Sequence, residues 1–187
     1  MIYIEDDFLD PYLIRHINND KEIFQEVKTP GKSFWVKKPS ENFTELVCEK
    51  ISKIENCIIE PILSFFREAK EGQDNDWRIH NDSIIQGQQP DRAIVLFISE
   101  EQDEGLNGTA FWEHWKHGER FENVTPEEYN RLIIEDSNSP QKWRLKSIIG
   151  HKQNRLLSYP CNYFHSKYPN EFLESRKVFV MFYKIIK

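Results

Sequence analysis

The chain has 187 residues and a mass of 22.5 kDa, of which 39% are hydrophobic, 30% charged and 13% aromatic. This size and balance predict a single globular domain and exclude a disordered chain. No apolar stretch approaches the about 18 residues of a membrane-spanning helix, so no membrane contact is expected. The acidic N-terminus does not resemble a secretory signal, and three cysteines are too few for a disulfide framework. Both features favour a cytoplasmic location.

The formal net charge of −6 argues against a protein that binds duplex nucleic acid. The charge is unevenly distributed, because residues 141–187 carry ten Lys or Arg and two acidic residues, whereas residues 1–140 carry 15 basic and 29 acidic ones. Either the two regions form solvated surfaces that pair on folding, or the C-terminal third lines a site for a small anion. The composition leaves both interpretations open.

The first 72 residues predict a helical N-terminal layer. A short strand and a turn come first, and a helix is expected to begin near Asp10 and Pro11, because an acidic cap followed by proline is a typical helix start. Apolar residues then recur mostly three and four positions apart from Asn42 to about Ala69. This spacing predicts one amphipathic helix, with Pro61 as the place for a kink.

Residues 73–187 predict a β core. After Gly72, turn-forming clusters separate short runs of β-branched and aromatic residues, namely WRIH, RAIVLFIS, TAFWEH, WRLKSIIG, NRLLSY and KVFVMFYKII. This pattern is typical of an all-β sandwich or jelly roll. A helical insert is expected at about 124–136, where Thr125 can cap the helix and Glu128 completes a capping box. The predicted architecture is one domain over residues 1–187, mainly β with N-terminal helices.

His80 and Asp82, at the end of the run WRIH, are candidate metal ligands. Residues i and i+2 of a strand point to the same face, so this imidazole and this carboxylate can reach one ion. The best candidate for a third ligand is His165, which follows another strand-like run. Two histidines and one carboxylate on one face of an octahedron leave three positions open, as in non-haem Fe(II) oxygenases. In the alternative interpretation, His80 is a half-buried strand histidine and Asp82 a turn residue.

Arg176 opens the last hydrophobic run, eleven residues after His165. An arginine at the start of a buried strand is costly unless it meets an anion, because it stays charged. Its planar guanidinium matches a carboxylate, which suits the far end of a dicarboxylate such as 2-oxoglutarate. The alternative is a strand-end arginine that reaches solvent and pairs with Glu174.

This order of two histidines, one aspartate and one arginine in a chain of short strands resembles the Fe(II)- and 2-oxoglutarate-dependent oxygenases, especially their prolyl-4-hydroxylase-like branch. The opening IYIEDDFLDPYLIRHI is similar to the N-terminal strand and helix of that branch. The run GLNGTAFW is similar to its glycine-rich turn into a core strand, with Gly108, Thr109 and Phe111 matching. The stretch NRLLSYPCNYFHS resembles its approach to the distal histidine.

The resemblance implies a double-stranded β-helix, or jelly roll, with iron at its open end. It also implies a reaction in which O2 and 2-oxoglutarate become succinate, CO2 and an oxidised, usually hydroxylated, substrate. By resemblance, Fe(II) is held by His80, Asp82 and His165, and the distal carboxylate of 2-oxoglutarate is bound by Arg176. Phe97 stands where the branch often has a tyrosine that helps to bind 2-oxoglutarate, so a second hydrogen-bond donor is unassigned.

Two other groups of residues compete for a chemical role. His114 and His117 form a metal pair with Glu113 or Glu119 in one interpretation, and a solvent-facing or substrate-facing pair in the other. Cys161 is a thiolate ligand or nucleophile in principle. Its local sequence holds no basic activator, so a small core or turn residue is the favoured interpretation.

Two functions of other classes remain open. The first is a jelly-roll binding module without turnover. Phe97 supports this alternative, because it lacks the hydroxyl that helps to bind 2-oxoglutarate in the related enzymes. The second is a cupin-like hydrolase or isomerase that uses zinc or manganese, which leaves Arg176 without a carboxylate to bind. The set of three ligands and one arginine favours the oxygenase over both.

The substrate is expected to be a small molecule or a peptide side chain, with no nucleic acid involved. The long stretch 113–150 is expected to form a lid or a substrate wall. If they rim the barrel mouth, the acidic residues of the loop after Ser99 and of this insert repel phosphates and favour neutral or cationic substrates; they are Glu100, Glu101, Asp103, Glu104, Glu113, Glu119, Glu122, Glu127 and Glu128. The sequence gives no indication of the oligomeric state.

Overall fold

The computed structural model describes residues 1–29, 32–69, 78–100, 106–122, 125–169 and 175–186. Across these ranges the strands are β1 (Tyr3–Glu5), β2 (Gln25–Thr29), β3 (Lys32–Lys37), β4 (Ile58–Ala69), β5 (Arg92–Phe97), β6 (Gly108–His114), β7 (Trp143–Gly150), β8 (Leu156–Pro160), β9 (His165–Tyr168) and β10 (Arg176–Ile186). The helices are α1 (Pro11–Asn18), α2 (Glu41–Glu55) and α3 (Pro126–Arg131). A π-helical turn, Leu132–Asp136, continues α3, and a short 3-10 turn, Pro140–Lys142, precedes β7.

The strands form two antiparallel sheets. The larger has seven strands in the order β1-β8-β5-β10-β4-β3-β2, and the smaller has three in the order β7-β6-β9. The predicted mainly β fold class is therefore confirmed. Gly108 begins β6 where a side chain has no room, because a Cβ atom there would lie 2.0 Å from the carbonyl oxygen of Ile149 on β7.

The large sheet separates two hydrophobic clusters. Alternate residues of a strand point to opposite faces, so Phe66 on β4 and Phe179 on β10 pack against α2, where the Phe43 ring lies 5.2 and 5.0 Å from theirs. Phe65 and Val178 belong to the cluster on the other face. One face of the sheet therefore carries the helical layer, and the other faces the small sheet and the interior cavity.

The prediction of a single helix from Asn42 to Ala69 is wrong. The helix ends at Glu55, because Asn56 takes a left-handed conformation (φ 51°) and its backbone N–H closes the last turn. The rest of the segment is β4, paired with β3 on one side and β10 on the other. Pro61 fits there because the register with β10 shifts next to it, between Phe182 and Tyr183. The N-terminal layer thus supplies two helices and also four strands of the sheets.

Most of the other predicted elements are confirmed at or near their expected bounds. Asp10 caps α1 by accepting a hydrogen bond from the Tyr12 N–H at 2.8 Å, and Thr125 and Glu128 form the expected capping box. The run WRIH is an exception. Residues 78 and 79 lie outside any strand, His80 makes a single bridge with His165, and Trp77 lies outside the described residues.

Within the described residues, no helix combines the length and the apolar character needed to cross a membrane.

Candidate metal centre

A cavity of about 1030 Å³ is bounded by both sheets. The large sheet contributes side chains from β4, β5, β8 and β10, and the small sheet contributes Thr109 of β6 and the first residues of β9. The β2–β3 hairpin and the insert close its sides, the latter through Tyr129 and Ile133. The insert is therefore part of the cavity wall.

Backbone hydrogen bonds bring His80, Asp82 and His165 together at this cavity. The His80 N–H donates to the His165 carbonyl at 3.0 Å, and the His165 N–H donates back at 2.8 Å. The Asp82 N–H donates to the carbonyl of Cys161 at 2.8 Å. The segment 78–82 is thus attached to the turn that links β8 of the large sheet to β9 of the small one.

The side chains of the three residues converge on one point. Their ligand atoms lie within 4.8 Å of one another. Nε2 of His165 is 3.2 Å from one oxygen of Asp82, and Nε2 of His80 is 3.8 Å from the other. Ligand atoms that bind one ion at about 2.1 Å and at right angles lie about 3 Å apart. The three ligand atoms therefore surround one point, and they bind a small divalent ion once the wider of these separations closes toward 3 Å.

Both histidines present the correct nitrogen. Nδ1 of His80 lies 2.8 Å from the carbonyl oxygen of Arg78, and Nδ1 of His165 lies 3.1 Å from that of Tyr163. A carbonyl only accepts, so each Nδ1 carries the proton and each Nε2 keeps its lone pair for a ligand bond. The backbone thus orients both imidazoles with Nε2 toward the carboxylate.

Electrostatics in the cavity also favour a cation at this point. Burial alone lowers the pKa of His165, but the nearby Asp82 carboxylate outweighs it and raises that pKa above the usual value. Asp82 itself is only 8% exposed. A buried carboxylate stabilises a positive charge beside it, whether a proton on the imidazole or a bound metal ion.

Arg176 lies in the wall of the same cavity and is only 6% exposed. It begins β10, as predicted, and its guanidinium carbon lies 5.3 Å from the centre of the Phe97 ring. This contact gives a structural reason for a phenylalanine at position 97, because an aromatic face stabilises the cation. The burial excludes the solvent-reaching alternative for Arg176, whose suggested partner Glu174 lies outside the described residues.

Sequence reasoning missed two tyrosines of the cavity. The hydroxyl of Tyr159 on β8 lies 3.1 Å from Nε2 of His165, and burial raises the pKa of this tyrosine well above its usual value. Tyr129 of α3 lines the cavity from the insert. Tyr159 occurs in the run NRLLSY, where alternation across a strand places it on one face, but the sequence does not reveal which strand lies opposite.

The rival histidine pair belongs to a different environment. His114 is 1% exposed, its Nε2 lies 3.1 Å from Asp136, and its Nδ1 accepts hydrogen bonds from the backbone N–H groups of Lys116 and His117. Both of its nitrogens are engaged. Across the described ranges, no second group of three metal-ligating side chains converges as the first does.

Cys161 is buried in an apolar environment that raises the pKa of its thiol far above the usual value. The thiolate is therefore disfavoured, and the interpretation of Cys161 as a core residue is supported.

The acidic residues of the insert do not line the cavity. Glu113 pairs with Arg144 at 2.7 Å, Glu119 with Lys146 at 3.0 Å, and Glu128 caps α3. Of the loop after Ser99, Glu100 is described and does not line the cavity either, whereas residues 101–105 lie outside the described ranges. None of the described acidic residues of these two segments lines the cavity.

No protein-family model and no curated protein matches the chain. Solved structures do match. HygX from Streptomyces hygroscopicus, with nickel, 2-oxoglutarate and hygromycin B bound, is 12% identical over 98% of this chain and 82% of its own, with a TM-score of 0.61. A Pseudomonas putida prolyl-4-hydroxylase is 11% identical over 100% and 93% of the two chains, with a TM-score of 0.56.

A third match is SnoK, a non-haem α-ketoglutarate-dependent carbocyclase from nogalamycin biosynthesis. It is 10% identical over 97% of this chain and 78% of its own, with a TM-score of 0.65. The chain has the fold of these oxygenases. At such low identity the likeness establishes the jelly-roll fold alone, and the jelly roll predicted from the sequence is thereby confirmed.

Proposed function

We propose that the protein is an Fe(II)- and 2-oxoglutarate-dependent dioxygenase that hydroxylates a small molecule or a peptide side chain. The observation that carries this proposal is the convergence of His80, Asp82 and His165 in a cavity whose wall also contains the buried Arg176. In the overall reaction, 2-oxoglutarate loses CO2 and becomes succinate. One atom of O2 enters the succinate, and the other enters a C–H bond of the substrate as a hydroxyl group.

In this proposal the two imidazoles and the carboxylate hold Fe(II). A facial set of two histidines and one carboxylate leaves three positions for 2-oxoglutarate and O2. Fe(II), when bound, supplies the activation of O2 that is coupled to decarboxylation of the co-substrate. The carbonyls of Arg78 and Tyr163 hold the imidazoles in the orientation that this binding requires.

Arg176 is proposed to bind the distal carboxylate of 2-oxoglutarate. A carboxylate removed from water needs a charged partner, and a planar guanidinium offers two parallel hydrogen bonds. Tyr159 is our candidate for the second donor that Phe97 cannot be. Burial raises the pKa of Tyr159, so its hydroxyl stays protonated at neutral pH and remains able to donate.

The comparisons support the choice of cofactors. HygX structures contain nickel with 2-oxoglutarate, or iron, and the epimerase SnoN, at 10% identity, has been solved with Fe3+, α-ketoglutarate and nogalamycin RO. We extend only the cofactors to this chain and leave those substrates with those proteins. A reducing cytoplasm suits Fe(II), and all three cysteines of the chain are free thiols.

An anaerobic titration tests the proposal. Fe(II) and then 2-oxoglutarate are added to the protein, and we expect the weak visible charge-transfer band of a chelated 2-oxoglutarate, followed by succinate release when O2 is admitted. Metal binding without that band would favour a metal enzyme of another reaction class. Failure to bind either would favour a binding module. Asp136→Asn, which alters a His–Asp contact outside the cavity, is the matched control and should behave as the parent.

A further inference from the structure

The two histidines of the candidate metal centre are supported in different ways. His165 begins β9, which pairs with β6, so a sheet fixes its backbone. Residues 78–82 form no regular strand, and His80 makes a single bridge with His165. A metal ligand must keep its orientation, because the groups that orient a ligand contribute strongly to metal affinity. Contacts outside the sheets are therefore needed to hold His80.

Ser137 of the insert makes such a contact. Its hydroxyl donates to the carbonyl oxygen of Ile79 at 2.6 Å, and the Ile79 N–H donates to the Ser137 carbonyl at 3.3 Å. Ser137 is 1% exposed and Ile79 is buried as well, so these hydrogen bonds lie in a medium of low dielectric, where they are strong. Two hydrogen bonds thus join the insert to the residue that precedes His80.

The carbonyl that accepts from Ser137 belongs to the peptide unit that links Ile79 to His80. The N–H of the same unit is that of His80, which donates to the His165 carbonyl at 3.0 Å. A peptide unit is planar, so partners at its carbonyl and at its N–H together fix its plane. That plane sets the direction in which the His80 side chain leaves the backbone. The contact between Nδ1 of His80 and the Arg78 carbonyl, at 2.8 Å, then sets the rotation of the ring.

The π-helical turn Leu132–Asp136 brings Ser137 to this position. The turn closes where the Ser137 N–H donates to the Leu132 carbonyl, five residues back, at 2.9 Å. Such a turn contains one residue more than an α-helical turn, so it changes the side of the helix on which the next residue lies. Leu132 is buried in the same hydrophobic cluster as Ile79. Packing therefore holds the start of the turn against the segment that Ser137 contacts.

Ser139 makes a hydrogen bond of the same kind that stays within the insert. Its hydroxyl donates to the carbonyl oxygen of Glu135 at 3.0 Å, in an exposed position. Ser137 and Ser139 are thus two serines of one segment that both donate to a backbone carbonyl. They differ in where the carbonyl lies, because that of Ile79 belongs to the metal-binding segment and that of Glu135 to the insert itself.

We infer that Ser137 is a positioning residue of the metal centre, whose hydrogen bond to the Ile79 carbonyl holds His80 with Nε2 toward Asp82 and His165. This inference rests on the proposed function, because it takes these three residues as the ligands of Fe(II). Without the hydroxyl, the peptide unit before His80 loses the donor at its carbonyl, and the imidazole samples more orientations before the metal binds. Metal binding must then restore that order, which lowers the affinity.

Metal titrations of Ser137→Ala test the inference. Fe(II) is titrated anaerobically in a calorimeter, and Co(II) is titrated separately while its visible ligand-field spectrum is recorded. We expect the Kd of both metals to rise about tenfold, at the lower end of the about 10–100-fold that is typical of changes around a ligand set. The Co(II) bands should shift, because the arrangement of the ligands sets their energies.

Three further variants sharpen the test. Ser139→Ala is the matched control and should keep the Kd values and the spectrum of the parent. Ser137→Thr retains the hydroxyl and should restore most of the affinity that Ser137→Ala loses. If Ser137→Ala does not fold, Ser137→Cys serves instead. A thiol is a weaker donor than a hydroxyl, so the Kd should rise in the same direction by a smaller factor.

Urea unfolding of the metal-free proteins separates positioning from a purely structural role. If Ser137 only stabilises the fold, Ser137→Ala unfolds at lower urea, while the folded chain keeps the Kd and the Co(II) spectrum of the parent. That outcome would overturn the inference, and so would an unchanged Kd in Ser137→Cys where that variant is the one measured. A tenfold rise in Kd for Ser139→Ala would also overturn it, because loosening of the insert alone would then explain the effect.

The charge-transfer band of Fe(II) with 2-oxoglutarate distinguishes this inference from the proposed function. A normal band in the parent, with unchanged metal affinity in Ser137→Ala, defeats the inference alone. Metal binding that depends on Ser137, without the band in the parent, defeats the oxygenase and supports the positioning role. A parent protein that binds neither metal defeats both.

Discussion

Two contacts between a buried histidine and an aspartate are alike in distance and differ in what surrounds them. His165 lies 3.2 Å from Asp82, and His114 lies 3.1 Å from Asp136. The first pair borders the large cavity and is joined by a second histidine. The second pair is packed among aromatic rings, with that of Trp143 4.6 Å from His114.

The difference lies in the second ring nitrogen. In His80 and His165, Nδ1 donates to a backbone carbonyl, so Nε2 is left with a lone pair that faces the cavity. In His114, Nδ1 accepts from two backbone N–H groups, so the proton sits on Nε2 and is donated to Asp136. A histidine and an aspartate in contact therefore form a ligand set in one place and a structural hydrogen bond in the other.

Asp82→Ala is expected to have the largest effect that distinguishes the candidate metal site from the His114–Asp136 pair. This change removes a ligand, so iron-dependent decarboxylation of 2-oxoglutarate should fall by more than the about 10–100-fold that is typical of changes around a ligand set. Succinate formation and iron content per chain are the measurements, with circular dichroism to show that the fold survives. Asp136→Asn should keep the succinate formation and the iron content of the parent. Full turnover by Asp82→Ala would contradict the proposed metal site.

The next largest effect is expected at Arg176, a buried cation in the wall of the cavity that His80, Asp82 and His165 border. Arg176→Leu leaves a buried co-substrate carboxylate without a partner, at a cost of about 3–5 kcal/mol, so the 2-oxoglutarate concentration needed for half-saturation should rise by about two to four orders of magnitude. Arg176→Lys keeps the charge, loses the planar fork and should be intermediate. Arg144→Leu is the exposed control. An unchanged 2-oxoglutarate requirement in Arg176→Leu would make Arg176 a structural residue.

How far the sequence predicts the fold depends on the kind of signal that each segment carries. Caps and turns are local chemistry, so Asp10, Thr125 and Glu128 mark their helices correctly. The segment that follows Asn56 is different. Its apolar residues suit a helix and a strand equally well, and tertiary pairing with β3 and β10 decides for the strand.

The candidate site could be predicted where its residues are close in sequence or lie at the ends of strands. His80 and Asp82 are two positions apart, and Arg176 opens a strand, so their types and places were informative. The presence of Arg67 and Arg78 in the cavity wall was not predictable, because it depends on how separate segments of the chain pack together. The same reason applies to Tyr159, which a sheet-crossing turn brings next to His165.

A smaller effect, on stability alone, is expected from His114→Ala. This change deletes a fully buried ring, together with its contacts to Trp143 and its hydrogen bond to Asp136. We expect a loss of about 2–4 kcal/mol in the free energy of unfolding in urea, with iron content per folded chain unchanged. If the variant loses iron but keeps its stability, His114 belongs to a metal site and its contact with Asp136 is not structural.

The smallest effect concerns His151, a half-buried histidine that has no carboxylate beside it among the residues that the structure describes. Burial lowers its pKa to about 4, helped by the charges of Arg176 and Arg155, although its hydrogen bond to the Ser99 carbonyl acts in the opposite direction. His165 differs because the Asp82 carboxylate raises its pKa despite burial. His151 therefore stays neutral in the folded chain at a pH where it binds a proton in the unfolded chain.

The sign of the pH dependence follows from this difference. With a pKa of about 6.5 when unfolded and about 4 when folded, the stability contributed by neutral His151 is complete above pH 6.5 and is lost as the pH falls toward 4. Between pH 7.5 and 5 the loss amounts to about 2 kcal/mol. Urea unfolding of the parent and of His151→Gln at both pH values measures it, because the variant should lose about 2 kcal/mol less than the parent. Parallel losses would show that His151 takes up its proton without unfolding, and that burial without a carboxylate does not keep this histidine neutral.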